Sequence, residues 1–374
     1  MSAGLSSRIA DDRHPFPNDK SSSSKSVAPA RQRLFESRVG VEHESAAPSL
    51  SRTIAARLGD GSSLPIHVVE YRASLRSTSP LVLALPFTAA HSRQLAPLAL
   101  SLQARGVDVV TIDPPGHGRS GGKRGVVDLD VIMHAVASVA EEYADNRPRS
   151  HVGIVGSSWG GDLALHYALW EEKQHATSGR PRRVGGVLAQ AVITPWLRAV
   201  FGQFRPGMRL LFDERGIGAG LARRAIGPRL ATKRIFRPTD LYRDPAQRRR
   251  FIEDPLRLRG YDTSSYLNYL RHVPKTKPRE LTVPVHLLVG ALDRLVPPEY
   301  ERKVYQALAE EGVDVSLTLV PDAGHGIVEE QPDTMARCLV SMFGQLSRGH
   351  LPAKSTFGFS AAHFSSHVLD ELAG

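Results

Sequence analysis

The sequence predicts an α/β fold, a mostly parallel central sheet with helices on both faces and a helical cap inserted into it. Three observations predict this. Short apolar runs alternate with stretches of helical period along most of the chain. A G-x-S-x-G pentapeptide stands between one such run and one such helix. About ninety residues in the second half carry no clear strand, too long for an unstructured connection in a compact domain.

Residues 1–48 are poor in apolar residues, contain SSSSKS and several prolines, and are expected to form a disordered leader. They have no apolar run resembling a secretory signal; they are rich in Ser and Arg like a transit peptide, but Asp11 and Asp12 argue against one. No stretch is apolar for long enough to suggest a membrane span, so a cytoplasmic protein is expected.

From there the elements follow in order. Thr53–Arg57 and Ile66–Arg72 are predicted strands around the turn signal Gly59-Asp60-Gly61, giving the sheet an antiparallel edge. Leu81–Leu85 is a buried strand, and Leu95–Arg105 a helix on the spacing of Leu95, Leu98 and Leu102. The alternation continues with strand Val107–Ile112, helix Val127–Tyr143, strand His151–Val155, helix Trp159–Glu172 and strand Val184–Val192. After the long interval come strand Val283–Val289, helix Pro297–Glu311, strand Val315–Val320 and helix Pro332–Leu346.

These assignments divide the chain into a core at 49–194 and 282–347, a cap at 195–281 and a polar tail at 348–374. Within the cap, Gly216–Ala225 and Tyr261–Leu270 have helical character, and the whole is read as mostly helical. Trp196, Leu197, Phe201, Phe204, Leu210, Leu211 and Phe212 either line an acyl pocket or pack the cap onto the core.

The net charge of +10 is concentrated, with fourteen Lys and Arg against six Asp and Glu between Arg209 and Arg259. No zinc-ligand pattern, RNA-binding aromatic motif or helix-turn-helix accompanies this segment, so no nucleic-acid partner is expected. It reads as a solvated basic face, or one attracted to anionic lipid or an acidic substrate. The single cysteine, Cys338, lies in an apolar helical stretch and is expected to be buried packing, with no disulfide available.

The chemistry concentrates on Gly156-Ser157-Ser158-Trp159-Gly160. Only Ser158 has glycine two residues away on both sides, as a sharp strand-to-helix turn requires. A serine hydroxyl needs a base to take its proton and an acid to orient that base. The acid should follow a late strand, where VPVHLLVGALDRLVPP supplies Asp293; the base should follow the last strand, where VSLTLVPDAGHG supplies His325. Among 15 histidines an isolated one would mean little; the order and strand position together single out His325. Asp322 is too close to His325 and shapes its turn, while Asp262 lies in the cap.

Backbone N–H groups must also face the developing oxyanion. Trp159, at a helix start, is one expected donor; the loop PFTAAHS supplies the other at Thr88, or at Phe87 if the register shifts by one. No metal or organic cofactor is implied.

These residues resemble the α/β-hydrolase superfamily and, within it, the monoacylglycerol lipase/lysophospholipase-like group. DPPGHGRSGGKRG at Asp113–Gly125 is similar to that group's G-H-G-x-S-x-G-x-R-G loop, AAHS at Ala89–Ser92 to its oxyanion loop, GSSWGG to its nucleophile turn and EDPLRLRGYDT to its cap exit. Pro86-Phe87 departs from the His-Gly usual before the oxyanion residue. His117 is expected to hold its loop together rather than take part in chemistry. The resemblance implies hydrolysis of a medium- or long-chain ester, such as a monoacylglycerol or lysophospholipid, through an acyl-enzyme on Ser158. Thioester, amide, peptide or carbon–carbon bond hydrolysis, acyl transfer, and a non-catalytic binding module are the alternatives on the same fold.

Overall fold

The computed structural model describes residues 49–73, 79–204 and 216–346. The leader, the tail and cap residues Leu210, Leu211 and Phe212 lie outside the described residues, as does the side chain of Phe204.

One eight-stranded sheet organises the chain. Its strands are β1 (Leu50–Arg57), β2 (Ser63–Tyr71), β3 (Leu81–Leu85), β4 (Asp108–Ile112), β5 (Val152–Ser157), β6 (Gly186–Gln190), β9 (Val285–Gly290) and β10 (Val315–Val320). Their spatial order is β1-β2-β4-β3-β5-β6-β9-β10. The β1–β2 and β2–β4 pairs are antiparallel, and every other pair is parallel. The fold is the one expected, antiparallel edge included. β3, β4 and β5 are buried throughout, and β3 accordingly reads as an unbroken apolar run rather than an alternating one.

Helices α1 (Ala96–Gln103), α2 (Leu129–Ala144), α3 (Trp159–Ser178), α9 (Pro298–Glu310), α10 (Ile327–Glu330) and α11 (Pro332–Leu346) cover this sheet. Their buried residues fall into two apolar clusters. One holds Ile132, Leu163 and Val304, the other Leu98, Leu102 and Leu339. Asp128 caps α2, its side chain accepting from the N–H groups of Asp130 and Val131. Cys338 in α11 is half-buried rather than fully buried, and its partial burial raises the thiol pKa, so the thiol stays protonated.

Between β6 and β9 the chain forms α4 (Arg198–Phe204), α5 (Ile217–Ile226), β7 (Arg229–Ala231), α6 (Pro238–Leu241), α7 (Pro245–Glu253), β8 (Gly260–Asp262) and α8 (Thr263–Arg271). The connection therefore contains an antiparallel ribbon, β7 with β8, in which Leu230 faces Tyr261. Helix was expected from Tyr261, but it begins at Thr263, because Asp262 turns its side chain to accept the Ser265 N–H. Strands of three residues are too short to show a period in sequence.

The connection is tied to the sheet helices through Asp162 of α3, a buried carboxylate. It accepts from Trp196 Nε1 at 2.7 Å and from the Tyr269 hydroxyl at 2.8 Å. No helix among the described residues is long and apolar enough to cross a membrane.

Candidate active site

Ser158 is the residue between β5 and α3, with φ 53° and ψ −114°. That conformation is costly for a residue with a side chain, and it persists only where the surroundings enforce it. Here the flanking glycines permit it. A Cβ on Gly156 would overlap the carbonyl of Gly160, and one on Gly160 would overlap the carbonyls of Leu85 and Pro86. Strand, turn and helix thus approach more closely than any other residue type allows. Ser158 N–H donates to the Gln190 carbonyl at 2.7 Å, which fixes the turn to the end of β6.

Asp293 and His325 come from the loops after β9 and β10 and meet. Their Oδ2 and Nδ1 atoms are 2.8 Å apart, and both side chains are buried. Asp293 Oδ1 accepts the N–H groups of Leu295 and Val296, each at 2.9 Å, so both carboxylate oxygens are occupied. A carboxylate can only accept, so Nδ1 carries a proton and Nε2 is the ring nitrogen left for other chemistry. Nε2 is buried and makes no hydrogen bond, to Ser158 or to any other described residue.

Ser158 and His325 open into adjoining cavities. Ser158 lines one of about 440 Å³, and Asp293 and His325 line one of about 780 Å³; the two share Leu241, Arg294 and Pro297. A serine–histidine bond that is open in the free protein and closes with substrate is common in such sites.

Thr88 and Phe87 both line the smaller cavity beside Ser158. They belong to a tight turn closed by Ala90 N–H donating to the Phe87 carbonyl at 3.0 Å, with Ala89 at φ 67°. The β6–β9 connection grips this turn at three points. Ala89 N–H donates to the Tyr261 hydroxyl at 2.7 Å, the Leu258 N–H donates to the Ala89 carbonyl at 2.9 Å, and His91 Nε2 lies 2.7 Å from Asp254 Oδ2. The Phe87 ring packs against Tyr242 and Phe251, with centroids 6.2 and 5.6 Å away. Where the resembling family has glycine, this chain has an aromatic anchor.

Trp159, the first residue of α3, stacks on His117 with centroids 4.9 Å apart. Burial pushes the His117 pKa down to about 4, so the ring is neutral, as a structural role requires. Asp322 is exposed, in a left-handed turn whose carbonyl accepts from Arg243; Asp262 caps α8. Neither is part of the Asp293–His325 pair.

Two contributors escaped sequence reasoning. Gln190, the last residue of β6, accepts from the Ser157 hydroxyl and donates Nε2–H to the His325 carbonyl at 3.0 Å, so one buried side chain joins the serine turn to the histidine loop. Glu301 of α9 is fully buried and its pKa is raised well above the usual carboxylate range, by burial and by the charge of Asp293. Its Oε1 accepts the Val192 N–H at 3.3 Å. The only sequence signals are a polar residue ending an apolar strand, for Gln190, and an acidic residue in the first turn of a helix, for Glu301.

Of the cap residues expected at a pocket, Phe201 lines the smaller cavity; Trp196 is buried in packing and Leu197 packs half-buried on the core. Most of the remaining apolar lining comes from farther along, including Ile226, Leu230, Phe236, Tyr266 and Leu270. Among the described residues no group of three or more His, Cys, Asp or Glu is arranged to hold a metal ion.

The sequence pattern of a family described as serine aminopeptidase, S33, matches residues 77–332. Among solved structures, the monoacylglycerol lipase of Paleococcus ferrophilus is similar at 24% identity and TM-score 0.53, over 75% of this chain and 99% of that one. Est1E of Butyrivibrio proteoclasticus, solved with ferulic acid bound, is 16% identical with TM-score 0.51, over 78% and 100% of the two chains. A membrane phospholipase A described as a bacterial virulence factor is 17% identical with TM-score 0.53, over 85% and 91%. At these identities the likenesses show the fold.

Proposed function

Because this chain belongs to the serine aminopeptidase S33 family of the α/β-hydrolase superfamily, and is a hydrolase, we propose that it cleaves carboxylic esters of medium- or long-chain acids through an acyl-enzyme on Ser158. The observation that carries this reading is the Asp293–His325 hydrogen bond, with Nε2 free of any hydrogen bond, on the loop that Gln190 joins to the turn of the strained Ser158.

In this reading the Ser158 hydroxyl oxygen attacks the acyl carbon while His325 Nε2 takes its proton. The N–H groups of Thr88 and Trp159 receive the negative oxygen of the tetrahedral intermediate, and Asp293 holds the imidazolium. Collapse expels the alcohol, which takes the proton back from His325. Water then attacks the acyl-enzyme by the same route, freeing the acid and restoring Ser158.

The apolar lining of the Ser158 cavity supports an acyl chain as its occupant, and the volume is within the usual range for small-molecule sites. Monoacylglycerols and lysophospholipids fit that description, and the lipase and phospholipase likenesses support it. The segment 195–281 acts here as a cap over the acyl site. Its helix α5 exposes Ile217 and Leu221 beside Arg223 and Arg224, a surface suited to transient contact with an anionic membrane.

The test is a panel of esters, thioesters and aminoacyl amides of matched acyl length. Fastest turnover of the esters is expected; faster cleavage of aminoacyl amides would overturn the ester reading in favour of a peptidase.

A further inference from the structure

We propose that the cavity beside His325 binds a negatively charged group on the alcohol half of the substrate, through Arg243, Arg248 and Arg294. The assignment to the alcohol half rests on the ester reading above. The leaving alcohol takes its proton from His325, a lining residue of this cavity, while the acyl chain occupies the apolar cavity that Ser158 lines; Leu241, Arg294 and Pro297 join the two.

The charges of the His325 cavity do not cancel. Its acidic lining residues are already engaged: Asp293 by His325 and two backbone N–H groups, Asp240 by Arg237, and Glu299 by both Nε and Nη2 of Arg302. The three lining arginines have no carboxylate partner among the described residues. Arg243 donates to the Asp322 carbonyl, Arg248 Nη2 to the Arg243 carbonyl at 3.4 Å, and Arg294 makes no hydrogen bond or ion pair with any described residue.

Arg248 supplies a second, independent observation. Its Nε is buried and has no hydrogen-bond partner, a donor withdrawn from water with nothing to receive its proton. A modest rotation of the guanidinium would turn this unpaired donor toward an anionic oxygen in the cavity that Arg248 lines. Guanidinium groups offer planar paired donors that suit phosphate and carboxylate alike. Arg294 lines both cavities, which puts one cation where the acyl and alcohol halves of an ester join.

The experiment compares octanoyl glycerol with octanoyl glycerol 3-phosphate, both below their micelle-forming concentrations so that no lipid surface contributes. The phosphate ester is expected to have a kcat/KM about tenfold higher or more, the scale of a hydrogen bond to a charged group. Arg248→Gln and Arg294→Gln are each expected to shrink that ratio. A ratio at or below one, or a ratio that both variants leave intact, overturns the proposal.

Calorimetric titration with glycerol 3-phosphate, glycerol and inorganic phosphate gives a readout independent of turnover. Binding of glycerol 3-phosphate but not glycerol, weakened in Arg248→Gln, supports the anion site. If neither ester is cleaved but that binding is present, the ester reading falls and the anion site stands. Inorganic phosphate binding as tightly as glycerol 3-phosphate would overturn the head-group assignment.

Discussion

The Tyr261 hydroxyl accepts the Ala89 N–H at 2.7 Å and lies 3.2 Å from His117 Nε2, so one buried group ties the turn beside Ser158 to the Asp113–Gly125 loop. The proton order along this chain is determined. His117 Nδ1 is 3.0 Å from the Pro115 carbonyl, which can only accept, so Nδ1 carries the ring proton. Nε2 then accepts from the Tyr261 hydroxyl, whose lone pair accepts Ala89 N–H. Every member is satisfied, and the turn bearing Thr88 is held from the β6–β9 connection.

Tyr261→Phe keeps the ring packing and removes the hydroxyl, leaving the Ala89 N–H and His117 Nε2 unpaired. A stability loss of about 1–3 kcal/mol is expected from chemical denaturation. If the turn presents an oxyanion donor, kcat falls while KM for the ester changes little. A raised KM with unchanged kcat would instead place Tyr261 in substrate binding.

Gln190→Leu removes the link between Ser157 and the His325 carbonyl without emptying the space. The His325 loop loses its registration on the serine turn. A fall in kcat with the Asp293–His325 hydrogen bond retained, seen as its low-field proton resonance, is the expected result. Unchanged turnover would show that β6 does not position the histidine loop.

The glycines flanking Ser158 make unequal predictions. Gly156→Ala and Gly160→Ala each drive a methyl group into backbone, and each is expected to cost about 4 kcal/mol or more, or to prevent folding. At Gly161 the nearest atom to an added Cβ is 3.2 Å away, so Gly161→Ala is expected to fold. Melting temperatures of the three variants decide this.

His117 also sets a pH dependence. Its pKa is about 4 when folded, because of burial, against 6.5 for the free side chain. Between these values the unfolded chain takes up a proton that the folded protein refuses. The contribution is therefore complete above pH 6.5 and is lost as pH falls toward 4, amounting to about 3 kcal/mol across the window. Urea unfolding at about pH 7.5 and about pH 4.5 should show a smaller loss for His117→Gln than for the parent chain.

Much of this architecture is legible in the sequence because its elements are bounded by strong signals. Leu81–Leu85 ends at Pro86 and Val315–Val320 at Pro321, and both strands have the limits read from the chain. Ser158, Asp293 and His325 stand out because each follows a predicted strand. The β7–β8 ribbon does not, since three residues cannot display an alternation. Nor does the role of Phe87, whose aromatic partners Tyr242 and Phe251 lie far along the chain. Gln190 is invisible for a related reason: its side chain joins two loops that only the sheet order brings together.

Covalent capture tests the central claim most directly. A fluorophosphonate incubated with the protein should add one phosphonyl group, mapped by mass spectrometry to the peptide containing Ser158, and Ser158→Ala should take up none. Labelling at another residue, or undiminished labelling of Ser158→Ala, would contradict the assignment of Ser158 as the nucleophile.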